Sequence, residues 1–275
     1  MAGSLTLCAS PIGNLDDASP RLQKTLAAAD IIYAEDTRRA AVLLRALGVD
    51  KKARSYFVGN EHQRAADLER ELLDGANVVL ISDAGTPAIS DPGLTAVRAA
   101  KAAGAAVSVV PGPSAVTAAV AASGLPSDRF AYEGFLPRSG RERTSRLGAL
   151  ATEQRTFVIF SAPTRLVTDL NDLIRSCGGD RPVCVAREMT KVFEEFWWGD
   201  LAGAVDHYTA HPPKGEITVV VGGAVSPLPD LEQAIEMVGE LVGSGSSTTD
   251  AVRAVAASSG VSRRALYEAV TSRSR

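Results

Sequence analysis

Through its first 125 residues the chain alternates short apolar runs with longer stretches in which apolar positions recur every three or four residues. That is the pattern of a sheet wrapped by crossover helices. The apolar runs at 5–9, 30–34, 54–58, 78–82 and 107–110 predict five short, buried strands. Between them, Ser19-Pro20 offers a helix N-cap followed by proline in the first turn, Asn60 with Gln63 resembles a capping box, and Gly75 closes that helix, on which Ala65, Leu68 and Leu72 share a face. After the turn-forming segment 124–128 a second alternating series predicts strands at 132–135, 156–160, 183–187, 192–198 and 217–221, with more hairpin-like pairing. Beyond Ser226-Pro227-Leu228-Pro229 the pattern is helical only, at 231–242, 249–258 and 262–272. The expected organisation is two α/β domains, 1–125 and 126–225, and a small helical appendage, 226–275, whose last two helices flank a Gly-containing turn of the helix-turn-helix kind.

With 275 residues, 45% of them apolar, the chain can bury a substantial core, which excludes a disordered protein. The net charge of −3 argues against a surface that is basic throughout, so contact with nucleic acid has to come from local patches. No apolar run is long enough to cross a bilayer and no secretory leader is evident, so a cytoplasmic protein with no membrane partner is expected. Cys8, Cys177 and Cys184 are odd in number and lack CxxC spacing, and read as reduced thiols.

The richest candidate chemistry lies in residues 82–93, Ser-Asp-Ala-Gly-Thr-Pro-Ala-Ile-Ser-Asp-Pro-Gly, between an apolar strand and a helix. A plain strand-to-helix turn needs about 2–6 residues. Twelve turn-rich residues exceed that need, and they leave backbone amides and the Asp83 carboxylate free to hold polar parts of a ligand at the carboxyl edge of a sheet. Pro11-Ile12-Gly13-Asn14-Leu15 follows the first strand and Pro111-Gly112-Pro113-Ser114-Ala115 the fifth, so three rigid loops would line one crevice. None matches GxGxxG or GxxxxGK[ST], which favours a nucleoside ligand without phosphates.

Charged groups follow other strands: Glu35-Asp36-Thr37-Arg38-Arg39, where Asp36 could simply cap the next helix, Arg187-Glu188-Met189-Thr190-Lys191, and Lys214-Gly215-Glu216. His207 and His211 stand four apart on a predicted helix, but HExxH is missing and no further Cys/His cluster lies nearby, so no metal is expected. Two arginine patches remain, Arg138, Arg141, Arg143 and Arg146 in the middle and Arg253, Arg263, Arg264, Arg273 and Arg275 at the end. Either alone would be a solubilising surface; together, on an acidic chain, they favour an RNA partner.

In order along the chain, Pro11-Ile12-Gly13-Asn14-Leu15, Ala34-Glu35-Asp36-Thr37-Arg38, Ser82-Asp83-Ala84-Gly85-Thr86-Pro87, Val110-Pro111-Gly112-Pro113-Ser114 and Tyr132-Glu133-Gly134-Phe135-Leu136-Pro137 resemble the tetrapyrrole-methylase superfamily, and within it the methyltransferases of small-subunit ribosomal RNA. Ala186-Arg187-Glu188-Met189-Thr190-Lys191 and Lys214-Gly215-Glu216 extend the likeness, and Gly260-Val261-Ser262-Arg263-Arg264-Ala265-Leu266-Tyr267 is similar to the family's helical tail. The resemblance implies a homodimeric enzyme that moves a methyl group from S-adenosylmethionine to the ribose 2′-oxygen of a cytidine in the decoding region of 16S ribosomal RNA, free or in the assembled small subunit. It implies a cofactor cleft between the two α/β domains, lined by Pro11, Asp83, Gly85, Ser114 and Ala115 from the first and by Phe160, Ala186, Lys214 and Gly215 from the second. Two departures stand out. Ala162 and Thr164 replace the acid and histidine of a Tyr-Glu-Ser-type run with its following His-Arg pair, and Gly59-Asn60-Glu61 replaces a His-Asn-Glu run, which excludes a histidine base there.

Displacement at a sulfonium needs alignment and a route for the hydroxyl proton. Glu35 or Asp36 is expected to accept or orient that proton, Arg38 and Lys191 to hold the RNA and stabilise charge on the oxygen, and Arg138, Arg141, Arg143, Arg263 and Arg264 to bind the RNA backbone. Two rivals are weaker. A C-methyltransferase of corrin or porphyrin precursors would have little use for the arginine patches and tail, and a non-catalytic ribosome-binding factor would not need intact cofactor loops.

Overall fold

A computed structural model describes residues 2–225 and 229–273, and its contacts fall into two units, Met1–Ala224 and Val225–Arg275. The first unit opens with a parallel sheet of β1 (Ser4–Cys8), β2 (Ile31–Ala34), β3 (Ala53–Ser55), β4 (Asn77–Ile81) and β5 (Ala106–Val110), in the order β3-β2-β4-β1-β5. Its crossovers are α1 (Pro20–Ala28), α2 (Thr37–Ala46), α3 (Glu61–Leu73) and α4 (Leu94–Ala102). Side chains alternate across β4: Val79 and Ile81 join Leu22, Leu26 and Leu44 of α1 and α2, whereas Val78 and Leu80 join Leu68, Leu72, Ala96 and Ala100 of α3 and α4. Both faces are therefore covered, as an apolar parallel strand requires.

β3 is shorter than the apolar run 54–58 predicts. Asn60 accepts from the Phe57 N–H (2.8 Å) and donates to the Ser55 hydroxyl (3.1 Å), folding 57–60 into a turn that leaves Phe57 and Val58 exposed. The same bonds occupy the Asn60 side chain, so it does not cap α3 and the anticipated capping box is not formed.

The second sheet holds β6 (Phe130–Phe135), β7 (Thr156–Ser161), β8 (Pro182–Arg187), β9 (Glu195–Asp200) and β10 (Ile217–Val221), in the order β6-β7-β10-β8-β9. β6 and β7 are parallel, and the other neighbours are antiparallel. One face packs Phe157, Ile159, Val185 and Val219 against α6 (Gly140–Ala151), α7 (Leu166–Cys177) and α8 (Leu201–Ala210). The other packs Val158, Cys184, Ala186 and Val220 against Val116, Ala119 and Val120 of α5 (Ala115–Ser123) and against Ile12. α5 is thus the wedge that joins the sheets, and it starts from the same loop that would line the cleft. Residues 192–194, expected in a strand, belong instead to a turn in which Glu188 and Thr190 adopt φ of 50° and 65° and Val192 and Phe193 are exposed; β9 begins at Glu195.

The second unit comprises α9 (Leu231–Gly243), α10 (Thr248–Ser259) and α11 (Arg263–Arg273), packed around Ala234, Val238, Val252, Val255 and Leu266. Asp230 and Gln233 form a capping box at α9, and Gly260 at φ 69° ends α10 in the left-handed conformation. Ser226, Pro227 and Leu228 of the expected linker lie outside the described residues. Among the described residues no helix is long and apolar enough to cross a membrane.

Candidate active site

Because all five strands of the first sheet run parallel, their carboxyl ends share one edge, where such sheets bind ligands. The loops at that edge are tied to each other. Ser10 and Gly85 exchange backbone hydrogen bonds of 2.9 and 3.0 Å, the buried Ser10 hydroxyl donates to the Ser82 carbonyl (2.9 Å), and the Ser82 hydroxyl donates to the Gly85 carbonyl (3.2 Å). Within 82–93, Gly85, Ala88, Ser90 and Gly93 all have positive φ. For Ala88 and Ser90 this conformation costs on the order of 1–3 kcal/mol each, and such strain collects at functional sites.

A cavity of about 340 Å³ opens between this edge and the second sheet. Ile12, residues 84–86 and 89–91, and residues 114–116 form one wall; Phe135 and residues 160–163 and 215–218 form the other. A second cavity, of about 310 Å³, adjoins it, shares Ile12, Ala84 and Glu216, and adds Pro11, Gly13, Arg39, Asp83 and Lys191.

Four carboxylates set the charge here. Burial pushes Asp91 up to about 7, with the charges of Glu35, Asp83 and Glu216 adding to the effect and a hydrogen bond from Ser82 opposing it. Burial also raises Glu35, helped by Asp83 and Asp36 and countered by Arg39. The cleft thus holds more negative charge than its own cations offset, a surplus that a cationic ligand would relieve. Its apolar walls, Ile12, Ile89, Val116, Phe135 and Phe160, suit the uncharged body of a nucleoside.

The two sheets are closed on each other beside the smaller cavity. Lys191 Nζ lies 2.7 Å from Glu188 Oε1 and 3.0 Å from Glu216 Oε2, and the same Glu188 oxygen accepts from the Glu216 N–H at 2.9 Å. The Asn14 N–H donates to Thr190 Oγ1 at 3.0 Å, and Gly13 lies so close to Lys191 and Thr190 that a β-carbon would overlap both side chains.

Of the residues implied by resemblance, Gly85, Ser114, Ala115, Phe160 and Gly215 line the larger cavity and Pro11 and Asp83 the smaller, where Lys191, expected to hold the RNA, joins them. Ala186 lines neither: it is wholly buried in the core between the second sheet and α5. Lys214 lines a separate cavity. Asp36 is the N-cap of α2, and Arg38 donates to both of its oxygens, at 2.6 and 3.0 Å, which holds the carboxyl far below the usual range. Arg38 is 90% exposed and lines neither cavity, and the next residue on the helix, Arg39, lines the smaller one, 3.5 Å from Asp83. Asp83 is held in turn by the Asp36 N–H at 2.9 Å.

The middle arginine patch also needs correction. Arg143 is buried, donating to Asp169 (2.8 Å), Asp172 (2.7 Å) and the Pro137 carbonyl (2.7 Å), so it is a core ion pair and not an RNA contact. Arg146 pairs with Glu133 at 2.6 Å, whereas Arg138 and Arg141 are exposed. In the second unit Arg263 is exposed and Arg264 pairs with Glu268 at 2.9 Å; the Arg273 side chain and Arg275 lie outside the described residues. Arg39 and Glu216 stand in charged runs that the sequence points to and Asp91 in its long loop, but none of the three is given a role there. Nothing in sequence spacing distinguishes Asp91 and Glu216 from solvated turn residues.

Paired five-stranded sheets around a loop-lined cleft define the α/β tetrapyrrole-methylase class, and residues 4–204 match the model of the Tetrapyrrole (Corrin/Porphyrin) Methylases. The fold is similar to that of the methyltransferase CobJ (TM-score 0.63, 22% identity, 81% of this chain and 95% of that one). It is also similar to a uroporphyrin-III C-methyltransferase from Thermus thermophilus complexed with S-adenosyl homocysteine (TM-score 0.55, 19% identity, 79% and 96%). Ribosomal RNA small subunit methyltransferase I of Mycobacterium tuberculosis strain H37Rv is 46% identical over 272 residues, 98% of this chain and 95% of its own length. The protein of that name from Thermotoga maritima is 45% identical over 221 residues, 80% of this chain and 99% of its own length. The chain belongs to the ribosomal RNA small subunit methyltransferase I family.

Proposed function

We propose that the chain methylates the ribose 2′-oxygen of a cytidine in the decoding region of 16S ribosomal RNA, using S-adenosylmethionine. The observation that carries this is the pair of adjoining cavities: an acidic, largely apolar one suited to a cationic nucleoside, and a smaller charged one bordered by Arg39, Lys191, Asp83 and Glu216. Bound in the larger cavity, S-adenosylmethionine supplies an activated methyl group. Gly85, Ser114, Ala115 and Gly215 shape that cavity, while Asp91 and Asp83 match the positive charge.

Geometry precedes pKa in choosing the proton acceptor. Asp36 is engaged as a cap, and neither it nor Glu35 lines either of these two cavities, whereas Glu216 is the one carboxylate among the described residues that borders both. Glu216 is assigned to hold the ribose hydroxyl proton, Lys191 to stabilise charge on the oxygen, and Glu35 to add to the negative field around Asp91. Arg138, Arg141, Arg263 and Arg264 are assigned to the RNA backbone, with Arg38 at the cleft's margin. A homodimer is supported by edge strand β5, which exposes Val107 and Val109. The place of action is the cytoplasm. The domain organisation proposed is 1–125, 126–225 and 226–275, with the first two forming the cofactor cleft.

The test is transfer of labelled methyl from S-adenosylmethionine to small ribosomal subunits from a strain lacking this protein, followed by nucleoside analysis. 2′-O-methylcytidine is the expected product, and Glu216→Gln should slow single turnover at least tenfold while Asp36→Asn does not. Absence of label despite measured cofactor binding would overturn the reading in favour of a macrocycle acceptor.

A further inference from the structure

A third cavity, of about 420 Å³, belongs to neither pocket of the cleft, yet the same segments build it. Lys214 lines it, while the next two residues, Gly215 and Glu216, line the cleft. Likewise Arg187 lines it, the hairpin loop then passes the smaller cavity at Lys191, and Phe193 and Glu195 return to it. The size lies in the range of about 300–1,000 Å³ typical of ligand sites.

Its lining combines flat faces with a polar edge. The His207 ring stacks on Trp197 (5.7 Å between centroids, 30°), and the His211 ring follows at 5.0 Å and 31°. Phe193 is 70% exposed, which no packing requirement explains. Glu195 accepts from Arg187 at 2.7 Å and lies 3.6 Å from His207 Nε2, so a guanidinium and a carboxylate stand side by side. Lys214 has no ion-pair partner among the described residues. Tyr208, almost wholly buried in the same wall, has a hydroxyl with no hydrogen-bond partner among the described residues.

We propose that this cavity seats a nucleotide of the RNA strand flanking the methylated one: Phe193 and the histidine rings take its base, Arg187 and Glu195 read its polar edge, and Lys214 meets its phosphate. Unpaired RNA bases are recognised by such stacking and edge contacts. The proposal rests on the ribosomal RNA reading. It adds that the site grips the strand on the far side of the Lys214–Glu216 segment, so that a base held there positions the hairpin carrying Lys191.

The test uses the full chain with small ribosomal subunits as methyl acceptor. Phe193→Ala should raise the KM for subunits about tenfold, within the range for loss of one base stack, with S-adenosylmethionine affinity and kcat within twofold; Phe193→Trp should keep the wild-type KM. Since Phe193 is exposed, neither variant should alter thermal unfolding. An unchanged KM in Phe193→Ala, with the wild type active, would overturn the inference and leave the ribosomal reading standing. A change in sedimentation of Phe193→Ala would overturn it in favour of a contact between copies of this chain. If the wild type binds the cofactor but methylates no RNA, the ribosomal reading fails and the inference fails with it.

Discussion

Replacing Arg143 by alanine separates what the sequence suggests from what the structure places. In the arginine-rich run 138–146 it looks like a backbone-binding residue, and its loss would then weaken RNA binding, reduce the salt dependence by about one charge, and leave stability alone. In the structure its side chain is 8% exposed, and those of Asp169 and Asp172 are 5% and 12% exposed. The guanidinium makes three charge-assisted or carbonyl bonds of 2.7–2.8 Å, and Asp169 also accepts from the Ser161 hydroxyl (2.7 Å), on the cleft wall. Alanine would remove the buried counter-charge of two carboxylates, leaving Asp169 only Arg165 at 3.7 Å and Asp172 only the exposed Arg175, so a loss of about 3 kcal/mol, the low end of the usual range, is expected. At roughly 2–4 °C per kcal/mol for a protein of this size, the midpoint of thermal unfolding should fall by about 10 °C. Denaturant unfolding and calorimetry measure this directly, and Arg143→Met combined with Asp169→Asn and Asp172→Asn should recover most of the loss, because the buried charges go together. A variant within about 1 kcal/mol of wild type but with a reduced salt slope for RNA would refute the burial argument.

Three further expectations follow from the site. Asp91 binds its proton more tightly in the folded state, up to about 7, than in the unfolded chain, so it contributes stability that is fully present below the ordinary carboxylate range and lost as pH rises through 7; Asp91→Asn should flatten that decline in urea titrations at pH 5 and pH 8, and cofactor binding, which favours ionised Asp91, should lose its strengthening across pH 6–8. Gly13→Ala should disturb Lys191 and Thr190, with a stability loss of about 1–3 kcal/mol from overpacking and a larger fall in kcat than in cofactor affinity, measured by single turnover and calorimetric titration. Ending the chain at Ala224 should keep cofactor affinity within twofold while lowering RNA affinity and its salt slope, as filter binding at several salt concentrations would record; equal RNA affinity would remove the second unit from recognition.

Periodicity makes the first sheet legible because its central strands are buried on both faces and bounded by turn residues, as Val78–Leu80 is by Gly75 and by Ser82-Asp83-Ala84-Gly85. Errors arose where side chains bonded to nearby backbone instead of extending a pattern. Asn60 turned an apolar run into a turn, and two residues in left-handed geometry delayed β9 to Glu195. The cleft loops were legible from their density of turn residues, but the partition of charges was not. Whether Arg38 or Arg39 faces the cavity depends on a rotation of one helix position, and whether Arg143 is a surface cation depends on aspartates 26 and 29 residues away. Such pairings become visible only when the helices are packed.

The position of β1 has a consequence for how the protein comes into being. It pairs with β4 and β5, so residues 4–8 must wait for 77–81 and then 106–110 before both edges are satisfied. At a translation rate of about 5–20 residues per second, that delay is roughly 5–20 s after the strand is made. Until 77–81 is made Leu5, Leu7 and Cys8 have no strand to pair with, and until 106–110 follows one edge of β1 stays open to wrong partners. β1 is thus the central strand that is completed last, although it is made before both of its neighbours.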